Sequence, residues 1–194
     1  MNPSRLLSVL VENRPGVLNR VASMIRRRGF NIDSLSVGPT EDDSVSRMTI
    51  AVHVGRQQAE QATRQLAKLI DVISIDDITG LRNVAHELLL IRMNAPVGQR
   101  TELLQVVNVF LGRIVDIASS TMIIEVTGTP EKIDTFVELM RPFGIKEVAR
   151  SGAVALVRGD QTRLSPVDLG GDAEAAVPPG LVRVGGGADT TGDI

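Results

Sequence analysis

The sequence contains no cysteine, no tryptophan and no tyrosine, and its only aromatic residues are four phenylalanines. Without cysteine, disulfide bonds, thiolate nucleophiles and cysteine-ligated metal sites are excluded. An excess of one charge is also lacking, because 21 Lys and Arg residues against 23 Asp and Glu residues leave a formal net charge of −2. The chain therefore has no strong electrostatic field with which to attract nucleic acid or an anionic membrane.

Long hydrophobic runs are absent as well. The apolar stretches are only a few residues long, so no membrane-spanning helix is predicted. The opening segment MNPSRLLSVLVENRPG has too short an apolar core for a signal peptide and no small-residue cleavage site. Since hydrophobic residues still make up 43% of the chain, we expect a globular cytoplasmic protein with a substantial core.

The hydrophobic periodicity of residues 5–79 predicts the order strand, helix, strand, strand, helix, strand. Pro15 fits the first turn of the first helix, where its missing N–H costs nothing. The strand predicted over Phe30–Val37 changes its apolar phase midway, which indicates a bend or bulge at Asp33 and Ser34.

The same order returns over residues 88–157, with a period of about 80 residues but little identity between the halves. Leu103, Val107, Phe110 and Leu111 are spaced to share one helix face, and Pro130 opens another helix. We therefore predict an α+β fold made of two ferredoxin-like βαββαβ domains, over residues 4–80 and 85–160.

The composition changes after Arg163. Seven of the 18 glycines lie beyond that residue, together with a Pro-Pro pair and few large apolar residues. Such a segment buries too little surface to offset the entropy cost of ordering it. We expect residues 164–194 to form a disordered C-terminal tail.

Catalytic motifs are scarce. The two histidines, His53 and His86, have no metal-site spacing, and glycine-rich phosphate loops are absent. RNA-recognition domains share the βαββαβ order, but they stack bases on sheet aromatics that this sequence lacks. An acylphosphatase-like hydrolase would have to use Arg14 and Asn31, and Pro15 removes a backbone donor from the required loop.

Several stretches resemble the small regulatory subunit of acetolactate synthase, also called acetohydroxyacid synthase. They are ENRPGVLNRV, RRGFNIDSLSVGPTEDDSVSRMTI and LAKLIDVISI in the first half, and IVDIASSTMIIEVTGTPEKIDTFVELMRPFGIKEVARSGAVALVRGD in the second. The resemblance covers roughly residues 4–160. It implies an N-terminal ACT domain, which senses amino acids, followed by a C-terminal ferredoxin-like domain.

The resemblance also implies a function. A subunit of this family has no active site of its own; it binds a separate catalytic subunit, raises its activity and confers feedback inhibition by valine or related amino acids. Thiamine diphosphate, Mg²⁺ and FAD are expected in the partner catalytic subunit, with no cofactor or metal in this chain. The alternative is a free-standing ACT-type sensor of amino acids that serves another partner.

The segment ENRPGVLNRV, residues 12–21, raises the question of an anion site. The first turn of a helix exposes unpaired N–H groups at its positive end, where a carboxylate can bind. Gly16 permits close approach of a ligand to the backbone, and Asn13 offers a side-chain amide. Val17 and Leu18 are suitable neighbours for an aliphatic side chain. The alternative interpretation is that this segment is only a helix start.

By resemblance, Asn31 and its neighbour Ile32 are the remaining contacts of the amino-acid effector. Gly16 and Asn31 are predicted to lie at opposite ends of one helix, about 20 Å apart at 1.5 Å per residue. One small amino acid cannot contact both within one chain. A two-fold antiparallel pairing would bring Asn31 of a second chain to Gly16 of the first, so these residues together predict a homodimer.

Overall fold

A computed structural model describes residues 4–159 of the chain, which form two antiparallel sheets, each with two helices. The elements of the first half are β1 (Ser4–Glu12), α1 (Val17–Arg27), β2 (Ile32–Pro39), β3 (Val45–His53), α2 (Arg56–Leu66) and β4 (Val72–Asp77). In its sheet the strand order is β2-β3-β1-β4, and every neighbouring pair is antiparallel.

The elements of the second half are β5 (Asn83–Asn94), α3 (Arg100–Val109), β6 (Arg113–Ile117), β7 (Thr121–Gly128), α4 (Pro130–Met140), β8 (Ile145–Arg150) and β9 (Val154–Val157). This half repeats the topology of the first with the strand order β6-β7-β5-β8, and the short extra strand β9 pairs with the start of β5. The predicted α+β fold with two ferredoxin-like units is confirmed, and the predicted tail, residues 164–194, lies outside the described residues.

Each sheet packs its helices over its own hydrophobic core. In the first half Leu7, Val9 and Val11 of β1 are fully buried against the apolar faces of α1 and α2. In the second half Phe136 of α4 is fully buried, and its ring centroid lies 5.2 Å from that of Phe110. Alternate residues of β1 belong to the first core, and Ser8 and Leu10 between them are also buried, at 3% and 7% exposure.

Three local predictions are tested by the element boundaries. The bulge predicted near Asp33 is confirmed, because the register between β2 and β3 shifts between Ile32 and Ser34. The prediction that Pro15 lies in the first turn of the helix is wrong, because α1 begins at Val17 with Gly16 as its N-cap and Pro15 precedes it. The prediction that Leu111 shares a helix face with Leu103 and Val107 is also wrong. Helix α3 ends at Val109, and Leu111 is 86% exposed.

The start of α4 provides a test of the local contribution of a cap. Thr129 is the N-cap, and its hydroxyl accepts a hydrogen bond from the Lys132 N–H, with Pro130 in the first helical position. We expect Thr129→Ala to lower the free energy of unfolding by about 1 kcal/mol. Thr129→Ser keeps the hydroxyl and should stay close to the wild type in chemical denaturation. Equal stabilities of the two variants would contradict a role for the cap.

Candidate functional site

The turn before α1 has an unusual backbone at Gly16. This residue has φ +85° and ψ −10°, in the left-handed region that favours glycine. A Cβ added there would meet only Arg20 Nη1, at 3.6 Å, which is ordinary contact. The backbone conformation therefore favours glycine at this position, whereas the surrounding space would admit a side chain.

The N-terminus of α1 has no side-chain cap and no acidic residue in its first turn. The carbonyl of Gly16 accepts the first helical bond, from the Arg20 N–H at 3.0 Å. Val17 is only 2% exposed and its side chain lies in the first core, whereas Leu18 is 43% exposed beside it. The N–H groups of this helix start can therefore bind an anion from solvent. The apolar side chain of Leu18 lies next to them.

Asn13 ties the start of α1 to the turn between β2 and β3. Its side-chain Nδ2 donates to the Asp43 carbonyl at 2.8 Å, and its backbone N–H donates to the Ser44 carbonyl at 2.7 Å. These two bonds orient the amide and leave its oxygen as an acceptor. They also place the start of α1 and the end of β2 on the same side of the domain.

Arg20 is a candidate that sequence reasoning missed. Its Nε and Nη2 donate to the carboxylate of Asp71 at 2.6 and 2.8 Å, and Asp71 is 7% exposed. This bidentate pair holds the guanidinium so that Nη1 lies close to Gly16. The only sequence signal was the spacing of four residues between Gly16 and Arg20, which places both on one helix face.

Asn31 and Ile32 lie at the opposite end of α1, where β2 begins. The 11 residues of α1 span about 16 Å at the standard helical rise, so one chain does not bring Asn31 to Gly16. Asn31 is exposed, and its Nδ2 donates to Asp33 Oδ1 at 3.1 Å. Within residues 4–159 no donor reaches the Asn31 amide oxygen, which is left as an acceptor.

Strand β2 is an edge of the first sheet and has no second strand neighbour in the described chain. β1 and β2 run in the same direction, because both pair antiparallel with β3. Since α1 returns from the end of β1 to the start of β2, its N-terminus lies beside the end of β2. Val37 near that end is 46% exposed, which leaves apolar surface on an unpaired edge.

The alternative chemistries gain no support from the geometry. Arg14, before α1, forms an ion pair with Glu12 at 3.2 Å, while Asn31 follows the far end of the helix. A hydrolase site built from Arg14 and Asn31 is therefore not assembled in one chain. Across residues 4–159, no group of three or more metal-ligating side chains could hold an ion, and no helix is long and apolar enough to cross a membrane.

Comparisons with protein families agree with the earlier resemblance. A family model described as the AHAS small subunit-like ACT domain matches residues 7–74. A second family model, described as the small subunit of acetolactate synthase, matches residues 86–159. The two matches together cover both sheets.

Similar proteins match over most of this chain. The probable acetolactate synthase small subunit of Archaeoglobus fulgidus is 52% identical over 155 residues, which cover 80% of this chain and 97% of that protein. The acetolactate synthase small subunit of Bacillus subtilis is 42% identical over 162 residues, which cover 83% of this chain and 94% of that protein. The crystal structure of the small subunit from Thermotoga maritima matches with a TM-score of 0.76 and 36% identity, covering 81% and 99%.

Proposed function

Since the chain belongs to the family of acetolactate synthase small subunits, we propose that it is the regulatory subunit of an acetolactate synthase in branched-chain amino acid biosynthesis. In this proposal it binds a separate catalytic subunit, raises the activity of that subunit and makes it sensitive to feedback inhibition. Family membership is the single observation that carries the proposal. Thiamine diphosphate, Mg²⁺ and FAD would be held by the catalytic subunit.

The effector is valine or a related branched-chain amino acid, and its carboxylate binds at the start of α1. Free N–H groups at the positive end of the helix suit an anion, and Arg20 Nη1, which is not used in the pair with Asp71, adds a donor close to Gly16. The exposed side chain of Leu18 suits the aliphatic group. A pocket of this kind separates aliphatic side chains that differ by one methylene by only about 1–3 kcal/mol, so related amino acids should compete.

The ammonium group of the effector requires an acceptor, which a second copy of the chain provides. If two β2 edges pair antiparallel across a two-fold axis, the start of the partner's β2 lies beside the end of the first β2. Asn31 and Ile32 of the second copy then approach Gly16 and Asn13 of the first. The unpaired β2 edge and the free amide oxygen of Asn31 support this arrangement, which creates two equivalent sites in a homodimer.

Charge distribution along the β2 edge favours the same pairing. Just before β2, the segment 26–28 carries three exposed arginines, and just after it the turn contains Glu41, Asp42 and Asp43. Antiparallel pairing would bring the arginines of each copy toward the acidic turn of the other. Opposite charges that meet in this way favour one register and one orientation of the two copies.

Activation of the catalytic subunit tests the proposal directly. Addition of this chain to the catalytic subunit from the same source should raise the rate of acetolactate formation, saturating once the two subunits have associated. Valine should then lower the rate only when this chain is present. A catalytic subunit whose rate and valine response are unaffected by saturating amounts of the chain would contradict the proposal, and acyl phosphate turnover by this chain alone would revive the hydrolase.

A further inference from the structure

The two halves of the chain meet at Gly152. This residue lies between β8 and β9 of the second half, and a Cβ added to it would lie 2.8 Å from the carbonyl carbon of Leu35 and 2.9 Å from Ser36 Oγ. Both contacts are on β2 of the first half. The φ of Gly152 is not positive, so the close approach of β2 is what requires glycine at this position.

The segment around Gly152 is held firmly to the second sheet. β8 and β9 both pair with β5, and three residues, 151–153, stand opposite two residues of β5, which makes a bulge. Ser151 fixes the bulge, because its N–H donates to the Leu88 carbonyl and its hydroxyl accepts from the Leu88 N–H, both at 2.9 Å. A displacement of β2 therefore acts on a segment, residues 151–153, that its hydrogen bonds to β5 hold in place.

Arg150, two residues before Gly152, connects the bulge to the rest of the second half. Its Nε donates to Glu87 on β5 at 2.6 Å, and its Nη1 donates to Asp134 on α4 at 2.5 Å. Glu87 is only 8% exposed, whereas the Arg150 side chain is 32% exposed, so salt screens this partly buried pair less than a pair on the open surface. The bulge, β5 and α4 are thus linked by one guanidinium.

A cleft with a cavity volume of about 920 Å³ lies beside the contact and is lined by residues of both halves. Gly152 lines this cleft, and Ala153 directly after it is only 3% exposed. The same strand that Gly152 contacts begins with Ile32, directly after Asn31. A change at the start of β2 can therefore reach the second half through the contact at Gly152.

We propose that Gly152 is the mechanical joint that transmits effector binding at the start of β2 to the C-terminal half of the subunit. The inference rests on the proposed function and adds to it the route of regulation. Ordering of Asn31 and Ile32 around the effector shifts β2, and β2 displaces the bulge because the Leu35 backbone and Ser36 Oγ lie directly against Gly152. Coupling between ligand sites is commonly worth about 5- to 150-fold in affinity, and this joint carries that coupling.

The test uses Gly152→Ala in the complete complex with the catalytic subunit. The added Cβ cannot fit at 2.8 Å from backbone, so the two halves must separate slightly. We expect valine to bind the variant within about threefold of its wild-type affinity and activation to persist, while the valine concentration for half-maximal inhibition rises at least about fivefold. Gly98→Ala, in the second half and away from β2, adds a Cβ with nothing within 4 Å and serves as the matched control.

Ser151→Ala tests the same joint without adding any atom, which guards against a Gly152 variant that fails to fold. It removes the acceptor of the Leu88 N–H and loosens the bulge, so inhibition should weaken in the same direction by a smaller factor. Two results would contradict this role of Gly152. One is a folded Gly152→Ala complex that valine inhibits as strongly as the wild type, and the other is a variant whose affinity for valine falls as much as its inhibition. Failure of the wild-type subunit to bind valine would instead overturn the effector site of the proposed function.

Discussion

Replacing Asn31 by Ala is expected to raise the valine concentration for half-maximal inhibition about ten- to a hundredfold while activation of the catalytic subunit persists. The substitution leaves the charged ammonium group of the effector without one hydrogen bond, which typically costs about 1.5–3 kcal/mol. Asn31 is exposed and its only hydrogen bond within the described chain is to Asp33, so the fold should lose little. The measurement is the rate of acetolactate formation as a function of valine concentration, with the small subunit present at a saturating concentration.

Two substitutions at Gly16 separate charge from backbone strain. Gly16→Asp introduces an anion where the carboxylate of the effector would bind, and it also places a side chain on a backbone with φ +85°. Gly16→Asn has nearly the same shape and tolerates this conformation equally well, but it is neutral. We expect inhibition to be far weaker in the Asp variant than in the Asn variant. Equal responses would assign the effect to strain and would contradict an anion site.

An unaltered valine response in Asn31→Ala would remove Asn31 from the site, and the two-chain arrangement would lose its main support. Loss of activation together with inhibition would mean that the effector site and the partner surface are not separate. Thermal unfolding of each variant is the control, because a shift of the melting temperature would reveal a structural cause. These outcomes are distinguishable in one series of titrations.

Replacing Val37 by Asp is expected to convert the dimer into a monomer at low micromolar concentration. Val37 lies on the unpaired β2 edge and is 46% exposed, so a charge there costs the isolated fold little. In the two-fold pairing, two introduced carboxylates would lie on one interface, and such like-charge contacts cost several kcal/mol. The dissociation constant of the dimer should therefore rise at least about a hundredfold, as measured by analytical ultracentrifugation.

Val97→Asp is the matched control for this prediction. Val97 is 79% exposed in the short turn before α3, far along the chain from β2, and its substitution should leave the dimer intact. Because the effector site is shared between chains, Val37→Asp should also weaken valine binding, whereas Val97→Asp should not. A dimer that survives Val37→Asp, or a monomer that binds valine tightly, would be incompatible with pairing along β2.

Local sequence patterns were sufficient to predict the order of the elements. The change of apolar phase between Phe30 and Val37 predicted the bulge at Asp33, because a side-chain period of two makes any extra residue visible. The end of α3 was not predictable in this way. Leu111 adopts φ 54° and the Gly112 N–H donates to the Val107 carbonyl at 2.9 Å, which closes the helix with a left-handed cap. Val126 of β7 lies so close to Gly112 that a Cβ there would be 3.0 Å away, and the hydrophobic periodicity carries no signal of that contact.

The candidate site could be predicted only in part, because some of its contacts join residues that are far apart in the sequence. The helix start at Gly16 carries a local signature, and the helix length already implied that Asn31 lies too far away within one chain. Arg20 depends on Asp71, 51 positions further along the chain, and no local pattern predicts such a partner. Gly152 was also missed, because its significance depends on the approach of β2 from the other half.

The central claim is that each effector site combines the Gly16 region of one chain with Asn31 of the other, and mixing two variants that each bind valine weakly tests it most directly. In a heterodimer of Gly16→Asp and Asn31→Ala chains, one site carries both substitutions and the other carries neither. Random mixing makes about half of the dimers heterodimers, each with one intact site, so valine binding should return to about a quarter of all sites. Calorimetry on the mixture should therefore detect wild-type affinity that neither variant shows alone. If the mixture binds valine no better than its components, each site lies within one chain and the account is contradicted.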